Sequence, residues 1–375
     1  MLLSYKYRIE PNRTQGAALA AMLADFCDLY NAGLQQRIEA YQRCGLSLNY
    51  GMQAAELRTV RAECAELARW SFSAEQQVLR RLDRAFKAFF GRIKRGENGF
   101  PRFRAKARYH AAEMRVGDGL TIRKSGRLGF VGVSGEIKVR WHRTLPSKPA
   151  SAILTRQNGK WYVVFHVEVA AAAAHANTNT IGIDLGLTAL VALSNGEKVE
   201  RPRWTKRTEK GLRRRQRALA RCKRGSKRRA RRKIVLAKYH AYIAALRSDH
   251  LHKESRKLVN RFGRIGAEDL NIKGLARGML AKHVNDASWA TLIAMLTYKA
   301  ERAGCQLIKV DPRGTSQECP ECGQVAVKTL AERVHRCDCG CVLDRDVASA
   351  MVVHFRAFGF WPGAGLQALS VRSAA

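Results

Sequence analysis

The sequence has no run of about 18 uncharged apolar residues, so a membrane-spanning helix is not expected. Met1 to Pro11 lacks a basic segment followed by an apolar core, which argues against a secreted disulfide scaffold despite ten cysteines. The expected setting is a reducing prokaryotic cytoplasm. No internal repeat is evident. Acids are scarce: 31 Asp and Glu stand against 68 Lys and Arg, giving a formal net charge of +37. An excess of that size attracts any polyanion, because each neutralised phosphate releases condensed counterions, and nucleic acid is the expected partner. A length of 375 residues with 46% hydrophobic content suffices for two or three domains, so the charge decorates a folded body.

Residues 2–10 read as a strand, and Pro11 with Thr14 announces a helix whose apolar positions Leu19, Met22, Leu23, Phe26 and Tyr30 keep helical spacing up to Gly45. A second helix is expected over 52–69, and a third from the capping-box pattern Ser73-x-x-Gln76 through Val78, Leu82 and Phe89. Arg80, Arg81, Arg84 and Lys87 give that third helix a basic face suited to nucleic-acid contact. From about 111 to 170 the period falls to two, and Asn158-Gly159 marks a hairpin, so an antiparallel β module is expected.

A new domain restarts at Ile181, with three consecutive antiparallel strands turning at Asn195-Gly196. Residues 213–233 hold thirteen Arg or Lys and no acid, and are read as the start of one long helix passing Leu246. Such charges repel unless a polyanion lies alongside, so Arg213, Arg214, Arg217, Arg221, Arg228 and Arg232 are expected to contact phosphate. A strand at 264–268, a helix at 288–303 and a last strand at 306–310 follow, with a mobile tail from Gly359.

Two kinds of metal chemistry then meet in one segment. Cys319-x-x-Cys322, fourteen intervening residues and Cys337-x-Cys339 form a two-knuckle pattern suited to a closed tetrahedral zinc site. The second pair is tighter than usual, which leaves Cys341 or His335 as alternative ligands. Cys27, Cys44, Cys64, Cys222 and Cys305 have no ligand spacing and are expected to be buried thiols. Oxygen ligands suit magnesium or manganese instead. Asp184 closes an apolar strand with Gly186 two residues on, and Glu268 closes another. Side chains alternate along a strand, so either Glu268 or Asp269 can face Asp184, and Glu268 is preferred. By the same logic on a helix start, Asp346 is the ligand and Asp344 the N-cap. Three such acids can hold two divalent ions for phosphodiester hydrolysis.

Taken in order, Tyr7-Arg8-Ile9-Glu10-Pro11 with Gln15, Tyr30-Asn31, Phe100-Pro101-Arg102-Phe103, Ile183-Asp184-Leu185-Gly186, Glu268-Asp269-Leu270, Thr315-Ser316-Gln317, the cysteine pairs and Asp344-Arg345-Asp346 resemble the TnpB family. These are transposon-encoded RNA-guided nucleases related to type V CRISPR effectors of the Cas12 kind. The resemblance implies a multidomain α+β chain: a wedge β-barrel (1–10 and 105–175) with a helical recognition lobe (11–104) inserted, a RuvC domain of ribonuclease H-like α/β fold (178–312 and 342–358) carrying a zinc-binding module (313–341), and a flexible tail (359–375). It implies Asp184, Glu268 and Asp346 as the RuvC acids, a guide RNA from the transposon end, and target double-stranded DNA beside a short recognised motif. A monomer is the expected working form, associated with the nucleoid when on DNA. The family commonly follows the last acid with x-Asn-Ala-Ala, whereas this chain has Val347-Ala348-Ser349-Ala350, a change expected to touch rate more than reaction type. A nuclease-inactive repressor and a strand-transferring transposase are the alternative readings.

Overall fold

Alternate residues of the first strand face a core. Leu3, Tyr5, Tyr7 and Ile9 are buried while Leu2, Ser4 and Lys6 are exposed, the period of two that makes Leu2–Glu10 strand β1. The computed structural model describes the chain except for residues 171, 203, 276–280, 282–286, 326, 330–331 and 363–375. It divides into two units, Met1–Ala170 and Ala171–Ala375.

In the first unit β1 is followed by helices α1 (Arg13–Cys44), α2 (Tyr50–Glu63), α3 (Ala65–Ala68) and α4 (Phe72–Ile93), then strands β2 (Ala111–Arg115), β3 (Leu120–Ile122), β4 (Leu128–Phe130), β5 (Val133–Arg140), β6 (Ser151–Gln157) and β7 (Lys160–Glu168). The strands form one antiparallel sheet in the order β2-β6-β7-β1-β5-β4-β3, curled towards a barrel. Asn158 and Gly159 turn β6 into β7 with φ of 50° and 77°, the double positive φ of a tight hairpin. Sheet residues such as Ile9, Leu154 and Phe165 share a single core with Leu19, Phe26, Leu34 and Leu82 of the helices.

Three local expectations fail here. The helix expected over 52–69 breaks at Cys64, whose extended backbone (φ −123°, ψ 94°) separates α2 from α3. Ser71, not Ser73, caps α4: its Oγ accepts from the Ala74 N–H at 3.3 Å, and Ser73 lies inside the helix. Cys44 is exposed and Cys64 half-buried, while Cys27, Cys222 and Cys305 are buried as expected.

The second unit contains β8 (Thr180–Asp184), β9 (Ala189–Leu193), β10 (Lys198–Glu200), α5 (Trp204–Ala220), α6 (Lys227–Arg261), β11 (Arg264–Glu268), α7 (Ile272–Leu275), α8 (Trp289–Ala303), β12 (Gln306–Val310), β13 (Val334–Arg336), β14 (Val342–Asp344) and α9 (Arg345–Phe358). Its main sheet runs β10-β9-β8-β11-β12, antiparallel up to β8 and parallel from β8 through β12. Ile183, Val191 and Ile265 of the sheet pack with Leu258 of α6 and Leu292 and Leu296 of α8. The single long helix expected from 213 is two helices, because Gly225 adopts φ 82° and Ser226 caps a fresh start, accepting from the Arg229 N–H. Of the expected mobile tail, Phe360 and Trp361 pack on α9, Trp361 stacking on Phe355 at 4.2 Å, and 363–375 lie outside the described residues. No described helix is long and apolar enough to cross a membrane.

Candidate metal centres and basic surfaces

In both central strands a glycine stands two residues before an acid, Gly182 before Asp184 and Gly266 before Glu268. The two glycines are register partners across the parallel β8–β11 pair. Helix α9 lies directly on them: a Cβ at Gly182 would come 2.1 Å from the Ala350 carbonyl oxygen, and one at Gly266 would come 2.7 Å from Ala357 Cβ. A side chain at either place would lift the helix. Two residues of strand cover about 6.6 Å and one helical turn about 5.4 Å, so the acids two positions beyond this seat fall level with Asp346, one turn before Ala350. At the same level a Cβ on Gly186 would lie 3.5 Å from Asp346 Oδ2.

Asp184 feels both of the other acids. Asp184 keeps some solvent contact, yet protein surrounds its carboxyl closely enough that desolvation, then the charges of Glu268 and Asp346, push it well above the usual carboxylate range, with Arg345 opposing. Burial also raises Glu268, against the Thr315 hydroxyl and the charge of Arg356. Thr315, itself buried, donates to Glu268 Oε1 at 2.5 Å. Arg345 Nη2 stands 3.5 Å from Asp346 Oδ1.

Their sequence neighbours are occupied elsewhere. Asp269 is exposed and pairs with Lys309 at 3.1 Å. Asp344 Oδ1 accepts from the Asp346 and Val347 N–H groups at 3.0 and 3.3 Å, the N-cap of α9, and its other oxygen meets Lys198 at 2.6 Å. Thr315 and Arg356 were given no role by sequence reasoning. Thr315-Ser316-Gln317 marked the place without showing that its first hydroxyl reaches Glu268.

The sulfur atoms of Cys319, Cys322, Cys337 and Cys339 all lie within 4.8 Å of one another. Cys319 and Cys339 are 3.7 Å apart, and Cys322 and Cys337 3.5 Å. Four sulfurs about 2.3 Å from a tetrahedral zinc stand about 3.8 Å apart, so the set fits that ion. Each pair rides a glycine-closed turn: Gly323 (φ 73°) donates to the Cys319 carbonyl and Gly340 (φ 92°) to that of Cys337, which accommodates the short Cys337-x-Cys339 spacing. Burial would raise Cys319, but N–H donors from Cys322 and Glu321 together with the thiols of Cys322 and Cys339 bring it down to about 7. Cys341 and His335 form a second, buried set with Cys319. Burial drives Cys341 far upward, and Cys339, one of the four, is raised as well by burial and its neighbouring thiols.

The basic residues divide. On α4, Arg80 lies over the Tyr50 ring, Arg81 donates to the Ala111 carbonyl at 3.1 Å, Arg84 pairs with Glu113 at 3.0 Å and Lys87 with Asp83 at 3.1 Å. All four have partners inside their own unit. Arg213, which pairs with Glu209 at 3.3 Å, lines with Arg214, Arg217, Arg221, Lys206, Lys210 and Glu209 itself one groove of about 910 Å³ along α5. Arg228 and Arg232 are exposed on α6 outside that groove.

Comparison with known proteins supplies the family. Residues 163–279 match OrfB_IS605, described as "Probable transposase", residues 289–353 match the "Cas12f1-like, TNB domain", and residues 1–45 match a "Helix-turn-helix domain" that here is β1 and the single helix α1. A protein of Streptomyces pristinaespiralis named "Putative RNA-guided DNA endonuclease" is 34% identical over 355 residues, 92% of this chain and 87% of that protein. The similarly named InsQ of Escherichia coli K12 is 26% identical over 90% of this chain and 87% of its own. The fold is similar to that of the protein in a Cas12f1–sgRNA–target DNA complex, with a TM-score of 0.59 at 13% identity over 90% of this chain and 82% of that one. The motifs, the fold and the near full-length match agree: the chain belongs to the TnpB family of RNA-guided DNA endonucleases.

Proposed function

We propose that this chain is a transposon-associated endonuclease that uses a guide RNA to find double-stranded DNA and hydrolyses both strands at one site. Asp184, Glu268 and Asp346 are its catalytic acids. The observation that carries this reading is their convergence at the glycine seat, where two parallel strands and the start of α9 bring three mutually repelling carboxylates together. Such a cluster calls for cations, and the oxygen donor set suits magnesium or manganese. When bound, a pair of these ions supplies an activated water and charge stabilisation at the leaving oxygen. The protein's own part is positional: Thr315 orients Glu268, Asp344 fixes the first turn of α9, and the glycines set its depth.

In this reading the four cysteines hold one structural zinc, whose module (313–341) helps to place substrate beside Asp346. The nuclease domain comprises 178–312 and 342–358, and residues 1–10 and 105–175 serve as the wedge around a recognition lobe of 11–104. The arginine-lined groove of α5 takes nucleic-acid phosphates. Base pairing to the guide supplies most of the sequence specificity, and the protein reads a short motif beside the target.

The test is to express the chain with its transposon end, sequence the RNA that copurifies, and challenge the complex with matched linear DNA in magnesium. One discrete RNA species and RNA-dependent cleavage that chelation abolishes are expected. Joined strands formed without RNA would favour the transposase reading, and guided binding without cleavage the repressor.

A further inference from the structure

The aromatic cluster at the C-terminal end of α4 has an open side. Phe100 meets Phe86 and Phe89 edge-on at 5.7 and 5.1 Å, and Phe89 lies 5.2 Å from Phe90. Yet Phe90 is 50% exposed, Phe100 47% and Phe103, three residues on in the chain, 54%. Contiguous exposed aromatics on a folded chain mark a binding surface.

The segment that presents them is held in place. Gly99 adopts φ 144°, and a Cβ there would come 2.7 Å from Arg92 Nε, so the turn requires glycine. Arg92 also donates to the Gly99 carbonyl. Asn31 of α1 grips the far end from both sides, donating to the Arg104 carbonyl at 2.9 Å and accepting from the Arg104 N–H at 2.8 Å. Phe100 and Phe103 are therefore displayed on a fixed loop that follows Phe90 of α4.

Charge identifies the occupant. Residues 91–106 contain six Lys or Arg and one acid, Glu97. That acid pairs with Arg95 at 3.4 Å, while Lys94 and Arg102 meet no acid among the described residues. A second copy of a chain with net charge +37 would bring like charges together here. Rings flanked by uncompensated cations suit unpaired bases on a phosphate backbone. We propose that Phe90, Phe100 and Phe103 form a stacking platform for unpaired bases of the guide RNA, with Lys94 and Arg102 on the neighbouring phosphates. The proposal rests on the guide-RNA reading above and adds to it a site on the first unit.

Full-length protein freed of nucleic acid is irradiated with a single-stranded RNA of about twelve nucleotides containing 4-thiouridine, and crosslinked peptides are mapped. Affinity is measured for that RNA, for its deoxy counterpart and for an abasic strand with the same phosphates. Crosslinks within 90–104 are expected. Phe90→Leu with Phe100→Leu, which keeps apolar bulk and melting temperature, should weaken RNA binding about tenfold and leave the abasic strand unaffected. Crosslinks only elsewhere, equal loss for both strands, tighter binding of the deoxy strand, or a wild-type dimer that the substitutions dissociate overturns the platform and leaves the guide reading standing. A wild-type chain that binds and crosslinks no RNA anywhere overturns both.

Discussion

The thiolate and carboxylate centres are assembled by opposite routes. Twenty positions separate Cys319 from Cys339, and two glycine-closed turns bring the four sulfurs to the spacing of one tetrahedral ion. The carboxylates come from β8, β11 and α9, and meet because paired glycines let a helix settle on a sheet. One centre follows from local backbone geometry. The other exists only when distant elements pack, and it concentrates like charge that packing alone does not neutralise.

This contrast can be broken at several points. Alanine at Asp184, Glu268 or Asp346 should lower DNA cleavage about a thousandfold or more, since in the proposed reading each is a direct ligand to the ions, whereas zinc content measured by elemental analysis should stay at one per chain. Cys319→Ser reverses the pattern: bound zinc should fall well below one per chain, with a smaller loss of cleavage. Gly182→Ala tests the seat. Its Cβ must move the Ala350 carbonyl from 2.1 Å, so melting temperature and cleavage should fall together, with a stability loss of about 1–3 kcal/mol or more. Thr315→Val removes the hydroxyl on Glu268 while keeping its shape, and should cost about 10–100-fold in activity or metal affinity with little change in melting.

The smallest effect is a pH signature of the metal-free protein. Asp184 holds its proton to a higher pH when folded than its ordinary value of 3.8. The folded state therefore binds more protons than the unfolded state above that value, and stability falls as pH rises through the folded range. In chelator, melting temperature should decline from about pH 4 towards neutrality, and Asp184→Asn should flatten that slope. An unchanged slope would mean that Asp184 is neither desolvated nor faced by the other acids.

The acids were legible because two short periodicities restrict them. Alternation along a strand separates Glu268 from Asp269, and the first turn of a helix separates Asp346 from its cap Asp344; in the structure Glu268 is buried while Asp269 is exposed, and Asp344 is the cap. The cysteine spacing was equally plain. The reason Asp346 reaches the strands was hidden, because it lies in Gly182 and Gly266 being register partners, a relation between segments distant in sequence. Thr315 escaped for the same reason. The break at Gly225 escaped because one uniform basic run, 213–233, masked a turn residue followed by a cap. Arg80, Arg81, Arg84 and Lys87 read as a basic face; in the structure Tyr50, Ala111, Glu113 and Asp83 engage them, while Arg84 and Lys87 stay exposed.

The most direct test compares adjacent acids. With guide RNA and matched DNA in magnesium, cleavage is measured for Glu268→Ala beside Asp269→Ala, and for Asp346→Ala beside Asp344→Ala. Loss of product for the first of each pair, with Asp269→Ala near wild type and Asp344→Ala reduced only by its lost cap of about 1 kcal/mol, is the expected result. Cleavage that survives Glu268→Ala or Asp346→Ala would contradict the account.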